Sequence, residues 1–491
     1  MARYVVANIP QDRLQKARQS QTSRTSVSHC QTSRRYYISL GYHLLFLFSY
    51  PTIPTLLIRM IDFTLSPSQA KTQQAARGFA QNVLKDAGAV YGKATDQKSR
   101  FQATRPLYGA AVREGLVKAQ VPVALGGTSE SLVDAAITLE ELFAVESAAS
   151  ITVVATALGL MPLMLAGTPS LHEKYLKPFL LKEGEPLASL MHSEPAGTAN
   201  WLEKGGLGLQ TTARKQGDDW IINGEKLWTS NSAGWDDKGA DLACVVCRLS
   251  DDPSQPQDPE VDPASLILIL LVTREVIAAN DQSAYQVLGE PELAGHIATS
   301  GPHTRFTEFR VPGENLLTPP GQSVPIVEMA FGTSAALVGA MALGTMRAAF
   351  DAALEFAVSD PRGGSKPIIE HQSVADKLID CKAKIETSRL LLWKSVHTLD
   401  NPSIDWKVKL DLALQTKIYV TDCAVDCVVD AMKAVGMKSY ANDTSFPRLL
   451  NDAMCYPLFD GGNIGLRRRQ LQDLMAEKGY YPWAATYPVK L

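Results

Sequence analysis

Apolar residues recur every three to four positions through Gln69 to Ala89, Ala111 to Val121 and Ala135 to Ala166. The same spacing returns in Ala330 to Val358, Ser373 to Thr398, Trp406 to Val435 and Asn463 to Lys478. Spacing of this kind buries one stripe of an α-helix. Between the two helical stretches, from about Pro186 to Pro312, β-branched runs replace it. A helix, strand, helix order does not build an alternating parallel α/β sheet; it predicts an α+β chain of several domains. The predicted parts are an N-terminal helical domain over 60–183, a central β-barrel-like domain over 184–316 and a C-terminal four-helix bundle over 317–491, preceded by an extension over 1–59. No fixed-period repeat is present, which excludes a solenoid.

Within the middle stretch, Leu209 to Arg214 leads through a Gly-Asp-Asp turn into Trp220-Ile221-Ile222. The pair Asn223-Gly224 then precedes Lys226-Leu227-Trp228. An Asn-Gly pair between such runs predicts a hairpin turn there. Asp241 to Arg248 and Leu266 to Thr273 read as further strands, with the Pro- and Asp-rich segment 251–263 as an exposed loop. Gly126-Gly127, Gly167-Thr168-Pro169, the stretch from Asp360 to Gly364 and Asn442-Asp443 punctuate the helices.

At 491 residues, with 45% hydrophobic and 20% charged, the chain can bury a large core, and its net charge of −3 offers no basic surface to recruit nucleic acid. Its seven cysteines follow no framework spacing, which points to a reducing, intracellular compartment; cytoplasm, peroxisome and mitochondrion all remain open. Cys244 and Cys247 are three apart in a strand-like run, so their side chains face opposite ways. They read as small core residues, and no metal site is expected.

Residues 1–35 carry Arg3, Arg13, Lys16, Arg18, Arg24, Arg34 and Arg35 against a single acid, Asp12, and an uncharged run follows from Ile38 to Ile58. That composition fits a targeting segment, a membrane anchor broken by Pro51 and Pro54, or an upstream extension outside the mature protein. The last is preferred, because Met60-Ile61-Asp62-Phe63 reads as a normal start of the body, for which no membrane is expected. The terminal Val489-Lys490-Leu491 is loosely similar to a peroxisomal Ser-Lys-Leu ending.

Four segments carry chemistry. Met191-His192-Ser193-Glu194-Pro195-Ala196-Gly197-Thr198 offers backbone donors and hydroxyls where the β-stretch begins, and Trp228-Thr229-Ser230-Asn231 follows about 35 residues later. Arg362-Gly363-Gly364, followed by Ile369-Glu370-His371-Gln372, supplies a guanidinium fork suited to phosphate. Leu458-Phe459-Asp460-Gly461-Gly462-Asn463, followed by Arg467-Arg468-Arg469, places a short acid before two glycines. Taken singly, each has a plainer reading: a sheet-entry turn, a core tryptophan, a surface arginine, a helix cap.

Together and in this order, these segments resemble the acyl-CoA dehydrogenase superfamily over nearly all of residues 60–485, and within it the nitroalkane oxidase family. The resemblance implies FAD bound between the domains of a homotetramer. It implies cofactor contacts from Met191, His192, Ser193, Gly197, Thr198, Trp228, Thr229, Ser230, Arg362, His371, Gln372, Gly436 and Gly462, with Arg362 and Gln372 reaching the FAD of a neighbouring subunit. The Phe that usually follows the Arg is absent, and Ala434-Val435-Gly436 replaces Phe-Gly-Gly.

Dehydrogenases of this fold carry a Glu base in Tyr-Glu-Gly-Thr, where this chain has Phe459-Asp460-Gly461-Gly462. Dropping one methylene withdraws the carboxylate by about 1.5 Å, and a misplacement of about 1 Å can cost ~10²-fold in rate, so the substrate should differ from an acyl thioester. The resemblance assigns Asp460 as base, Arg467 as its ion-pair partner and Ser334 as the hydroxyl that orients it; Phe331 and Tyr456 line the substrate approach. The pairing with Arg467 is expected to favour the ionised carboxylate. The implied reaction is α-proton removal from a neutral nitroalkane, loss of nitrite, release of an aldehyde or ketone, and transfer of two electrons through FAD to oxygen, giving hydrogen peroxide. The alternatives are an acyl-CoA dehydrogenase or oxidase with an aspartate base, and a non-catalytic family scaffold.

Overall fold

The structure, a computed structural model, describes residues 62–250, 258 and 260–487. The readings of the N-terminal extension and of the terminal tripeptide fall outside the described residues, as does most of the 251–263 loop.

The described chain starts with α1 (Pro67–Phe79), opened by a capping box between Ser66 and Gln69. There follow α2 (Ala87–Tyr91), α3 (Gln97–Ala103), α4 (Arg105–Glu114), α5 (Leu132–Phe143), α6 (Ser147–Ala166) and α7 (Pro169–Leu180). Three expectations change here. The stretch Gln69 to Ala89 divides into α1, a π-helical segment Ala80–Leu84 and, after a turn, α2. The helix read over Ala111 to Val121 is α4, which stops at Glu114 because Gly115 caps it in the left-handed region, φ +86°. The stretch Ala135 to Ala166 divides into α5 and α6, since the Glu146 side chain accepts from Ala148 N and starts a new helix. α6 is apolar almost all round because it packs against both the sheet and the C-terminal helices.

The strands are β1 (Ala188–Met191), β2 (Thr212–Gln216), β3 (Asp219–Lys226), β4 (Leu242–Leu249), β5 (Ile267–Val272), β6 (Tyr285–Gly289), β7 (His303–Val311) and β8 (Leu316–Thr318), with α8 (Arg274–Ala278) between β5 and β6. They pair in the order β6-β7-β3-β2-β4-β5-β8, with β1 added parallel to β4. Ile222, Val245, Cys247, Leu268, Leu270, Phe306 and Phe309 share one core on the inner face. Among the described residues β6 and β8 do not pair with each other, so the barrel-like sheet stays open.

The predicted hairpin at Asn223-Gly224 is overturned. β3 runs through both residues, and the turn lies at Gly217-Asp218, between the paired Gln216 and Asp219. Gly224 sits at φ +135° where the register against β7 shifts, and a Cβ there would stand 2.5 Å from Thr211 Cα. The glycine serves a bulge and a close backbone pass, not a turn. Cys244 and Cys247 are both buried on opposite faces of β4: Cys244 Sγ meets Gly159 O of α6 at 3.3 Å, while Cys247 belongs to the inner core.

After the sheet come α9 (Val324–Ser359), α10 (Gln372–Asp400), α11 (Trp406–Val435), α12 (Phe446–Cys455) and α13 (Arg468–Ala476). The first three are long and mutually packed, α12 packs on α9 and α11, and α5 lies against α9 and α10. Arg347 binds Glu140 at 2.9 Å and Glu141 at 2.7 Å, and Arg389 binds Glu140 at 2.8 Å, so ion pairs join α5 to both neighbours. α12 is absent from the sequence reading. It is short, and Pro447 at its start and Asn451 within it read as breaks.

Candidate active site

Between α12 and α13 the chain makes a tight loop. Tyr456 is fully buried, its hydroxyl 2.7 Å from Thr345 Oγ1 on α9, and Asn463 N donates to Pro457 O at 2.8 Å to close the loop. At its tip Asp460, Gly461 and Gly462 take φ values of +54°, +92° and +61°. Aspartate is among the few side chains that tolerate this region. Gly461 is doubly required, since a Cβ there would stand 2.8 Å from Arg467 Nε.

Residues Asn463–Arg467 form a π-turn in which Arg467 N bonds Gly462 O at 3.1 Å, so the helical stretch starts at Asn463 as read but opens with a wide turn before α13. The wider turn swings the Arg467 guanidinium back over the loop. Its Nε donates to Asp460 O at 2.7 Å, Nη2 to Asp460 Oδ2 at 3.4 Å and to Phe331 O at 3.3 Å, and Nη1 to Gln470 Oε1 at 3.0 Å. Asp460 and Arg467 side chains are 4% and 2% exposed. Asp460 Oδ1 is buried with no partner of full hydrogen-bond geometry, while the Ser334 hydroxyl on α9 lies near enough to favour the carboxylate.

The Asp460 pKa is raised. Burial outweighs the pull of Arg467, Lys417 and Ser334 toward the ionised form. Arg467 does pull Asp460 toward the ionised form, as expected, but desolvation of a wholly buried carboxyl is the larger effect. The same burial lowers the pKa of Arg467.

A second wall comes from the sheet. Met191 ends β1 opposite Val245, and His192 follows with its ring centroid 4.7 Å from that of Trp201 and 5.5 Å from that of Phe331. Burial, with Lys226 adding to it, holds the His192 pKa down to about 3, so the ring is neutral; its Nε2 is buried and unpartnered. Lys226 Nζ, itself fully buried, donates to Glu194 Oε1 at 2.8 Å, Val246 O at 2.8 Å and His192 O at 3.1 Å. Glu194 also accepts from Gln210 N and Thr211 N. This ion pair fixes the path of the 191–198 segment. Ser193 O accepts from Leu227 N, Gly197 turns the chain at φ +85°, and Thr198 O accepts from Trp201 N.

Trp228 is 53% exposed at φ +64°, with Thr229 buried on Ser232 Oγ and Ser230 half-buried beside it. A bulky residue held in that backbone region with its ring uncovered is strained without internal reward. The uncovered Trp228 ring, the orphaned His192 Nε2 and the open space beside Gly197 fit a planar, hydrogen-bonding cofactor such as FAD.

The remaining predicted residues gather elsewhere. Arg362, at φ +48°, donates to Ala434 O at 3.0 Å and Val435 O at 2.6 Å; Gly436, at φ +76°, caps α11; His371 caps α10 beside exposed Gln372. Ser334 and the end of α9 at Ser359 are separated by about 25 residues, roughly 37 Å of helix. Within one chain this group therefore lies far from the base loop.

Lys417, Lys226, Trp201 and His296 escaped the sequence reading. Lys417 left a signal: it follows Leu410, Ala413 and Leu414 at seven, four and three residues, which puts a charge on the buried stripe of α11. His296, its ring centroid 5.2 Å from that of Tyr456 and 6.2 Å from that of Phe459, is brought to the site by long-range packing; Trp201 and Lys226 stand three residues after Thr198 and two before Trp228, and only the fold shows what they touch.

The family description of the acyl-CoA dehydrogenase N-terminal domain matches residues 66–183, and that of its C-terminal domain matches residues 324–474. A nitroalkane oxidase of Fusarium oxysporum is 72% identical over 429 residues, 87% of this chain and 98% of that protein. One from Podospora anserina is 48% identical, over 87% and 99%. A solved nitroalkane oxidase, an active-site aspartate-to-asparagine mutant crystallised with 1-nitrooctane, superposes with a TM-score of 0.86 at 71% identity, over 87% of this chain and all of the other. With its fold, its aspartate-bearing loop and near-complete coverage of such relatives in agreement, the chain belongs to the nitroalkane oxidase family of flavoproteins, within the acyl-CoA dehydrogenase superfamily.

Proposed function

We propose that the chain oxidises neutral primary and secondary nitroalkanes with oxygen and water to aldehydes or ketones, water supplying the carbonyl oxygen, with release of nitrite and hydrogen peroxide, and that Asp460 is the base that removes the α-proton. The observation that carries this reading is the Asp460 carboxyl itself: buried, held by Arg467 through Oδ2, and left with Oδ1 unpartnered. A solved relative with an active-site serine replaced was crystallised with 1-nitrohexane, and another was studied for the roles of an arginine and an aspartate in the flavoprotein's reaction, which supports the same trio here.

The α-carbon of a nitroalkane is acidic because the nitro group delocalises the resulting carbanion, so a short carboxylate suffices where a thioester would demand a closer and stronger base. Burial keeps the Asp460 proton affinity above that of an ordinary aspartate, which raises its strength as a base. Arg467 fixes both the Asp460 carbonyl and one carboxylate oxygen, leaving Oδ1 to receive the proton. Ser334 orients the group, while Phe331 and Tyr456 shape the approach. When bound, FAD accepts two electrons from the deprotonated substrate and passes them to oxygen. Met191, His192, Ser193, Gly197, Thr198, Trp228, Thr229, Ser230 and Gly462 would hold its ring end. Arg362 and Gln372 would reach the phosphates and adenine of the FAD of a neighbouring subunit in a homotetramer, with His371 and Gly436 adding cofactor contacts; the helix length that separates this group from the base loop supports that reading.

Anaerobic mixing of the FAD-loaded enzyme with nitroethane should bleach the flavin and release nitrite in equal amount, whereas a medium-chain acyl-CoA should leave the spectrum unchanged. Bleaching by the thioester without nitrite from nitroethane would defeat the proposal.

A further inference from the structure

Lys417 lies on α11 with its side chain wholly buried, and its ammonium donates to Tyr456 O at 2.8 Å and to Asn463 Oδ1 at 3.1 Å. Those acceptors are the first and last residues of the loop whose tip is Asp460. Asn463 is itself tied to α11, through Thr421 Oγ1 and Asp422 Oδ1, both at 2.9 Å. The loop between these points contains three consecutive residues in the left-handed region, a conformation that persists only where its ends are held. A lysine buried this deeply costs stability unless its charge and donors are used. A methionine would fill the same space without that cost.

We propose that Lys417 is a positioning residue for proton abstraction: its ammonium staples both ends of the base loop and places a second positive charge behind the Asp460 carboxylate. This rests on the reading of Asp460 as the base. The charged groups around Lys417 are Asp460 in the loop, Arg467 in the π-turn and Asp422 on its own helix. Asp422 is also bound by Arg468, at 3.1 Å, and its side chain is 47% exposed. Asp460 is therefore the buried anion that the Lys417 charge faces. The Lys417 pKa is brought down to about 8, chiefly by burial and further by Arg467, so the ammonium is present at neutral pH and is lost in mildly alkaline solution.

The test compares FAD-loaded wild type, Lys417→Met, Lys417→Arg and, in parallel, Asp460→Asn with nitroethane across pH. Removing the positive charge makes Asp460 easier to protonate, so in Lys417→Met the acid limb of kcat/KM should move to higher pH. kcat/KM on the plateau should fall about 10- to 100-fold through misplacement of the base, and Lys417→Arg should restore the limb. If Lys417→Met does not retain flavin, Lys417→Gln, whose amide keeps a donor toward Tyr456 O, carries the same test. An acid limb that stays at its wild-type position in the neutral variant overturns the proposal, whatever the turnover. Wild-type turnover by Asp460→Asn would instead overturn the base assignment, so the two failures are distinguishable.

Discussion

At the scale of the residue, Asp460 is governed by two opposed effects, and burial wins over Arg467. The sign has a kinetic consequence. The reactive form is the carboxylate, so kcat/KM for nitroethane should rise with pH through an ionisation above the ordinary aspartate value, about 3.9; a limb at or below that value would contradict it. Asp460→Asn should keep its flavin spectrum and lose about 10² to 10⁴ in kcat/KM for the neutral nitroalkane. The pre-ionised anion, which needs no base, should still be oxidised. Comparing the two substrates in steady-state assays separates loss of the base from collapse of the site. Asp460, Gly461, Gly462 and Arg467 were readable as a unit because they lie close together in the sequence. The partner that balances them, Lys417, was not, because only packing brings α11 behind the loop.

At the scale of the element, the Lys226–Glu194 pair decides where the end of β1 runs. Lys226→Met leaves Glu194 buried without its cation and should destabilise the protein by about 3–5 kcal/mol, measured by urea unfolding, with weaker flavin retention alongside. Gly224→Ala introduces both a disfavoured φ and a close contact with Thr211, and should cost about 1–3 kcal/mol. A type I′ hairpin turn at the same place would also penalise the positive φ, so only the added clash with Thr211 belongs to the corrected topology. The Asn-Gly signal failed because a glycine chosen for a turn and a glycine chosen for a close backbone pass look alike in a linear reading. The long helices did not share this ambiguity: Trp406–Val435 was legible from its apolar period to both ends. The π-turn at Asn463–Arg467 was invisible, since it depends on where the guanidinium finds its acceptors.

At the scale of the whole molecule, the length of α9 keeps Arg362, His371, Gln372 and Gly436 away from the base loop. If they hold a neighbour's FAD, Arg362→Ala should leave the helical content intact and speed FAD loss about tenfold or more, the weight of a hydrogen bond to a charged group. Light scattering should report a tetramer for the wild type. A monomeric wild type that holds FAD normally would contradict the arrangement. The order of helical and β-rich stretches, the segments meant for the cofactor and the aspartate in place of glutamate were all determined by the sequence alone, because periodicity and short motifs are local properties of a chain. The tertiary structure alone decided the balance of charge at Asp460, the orphaned nitrogen of His192 and the lysine beneath the loop. Each depends on which distant groups are desolvated together, and desolvation is a property of the packed molecule.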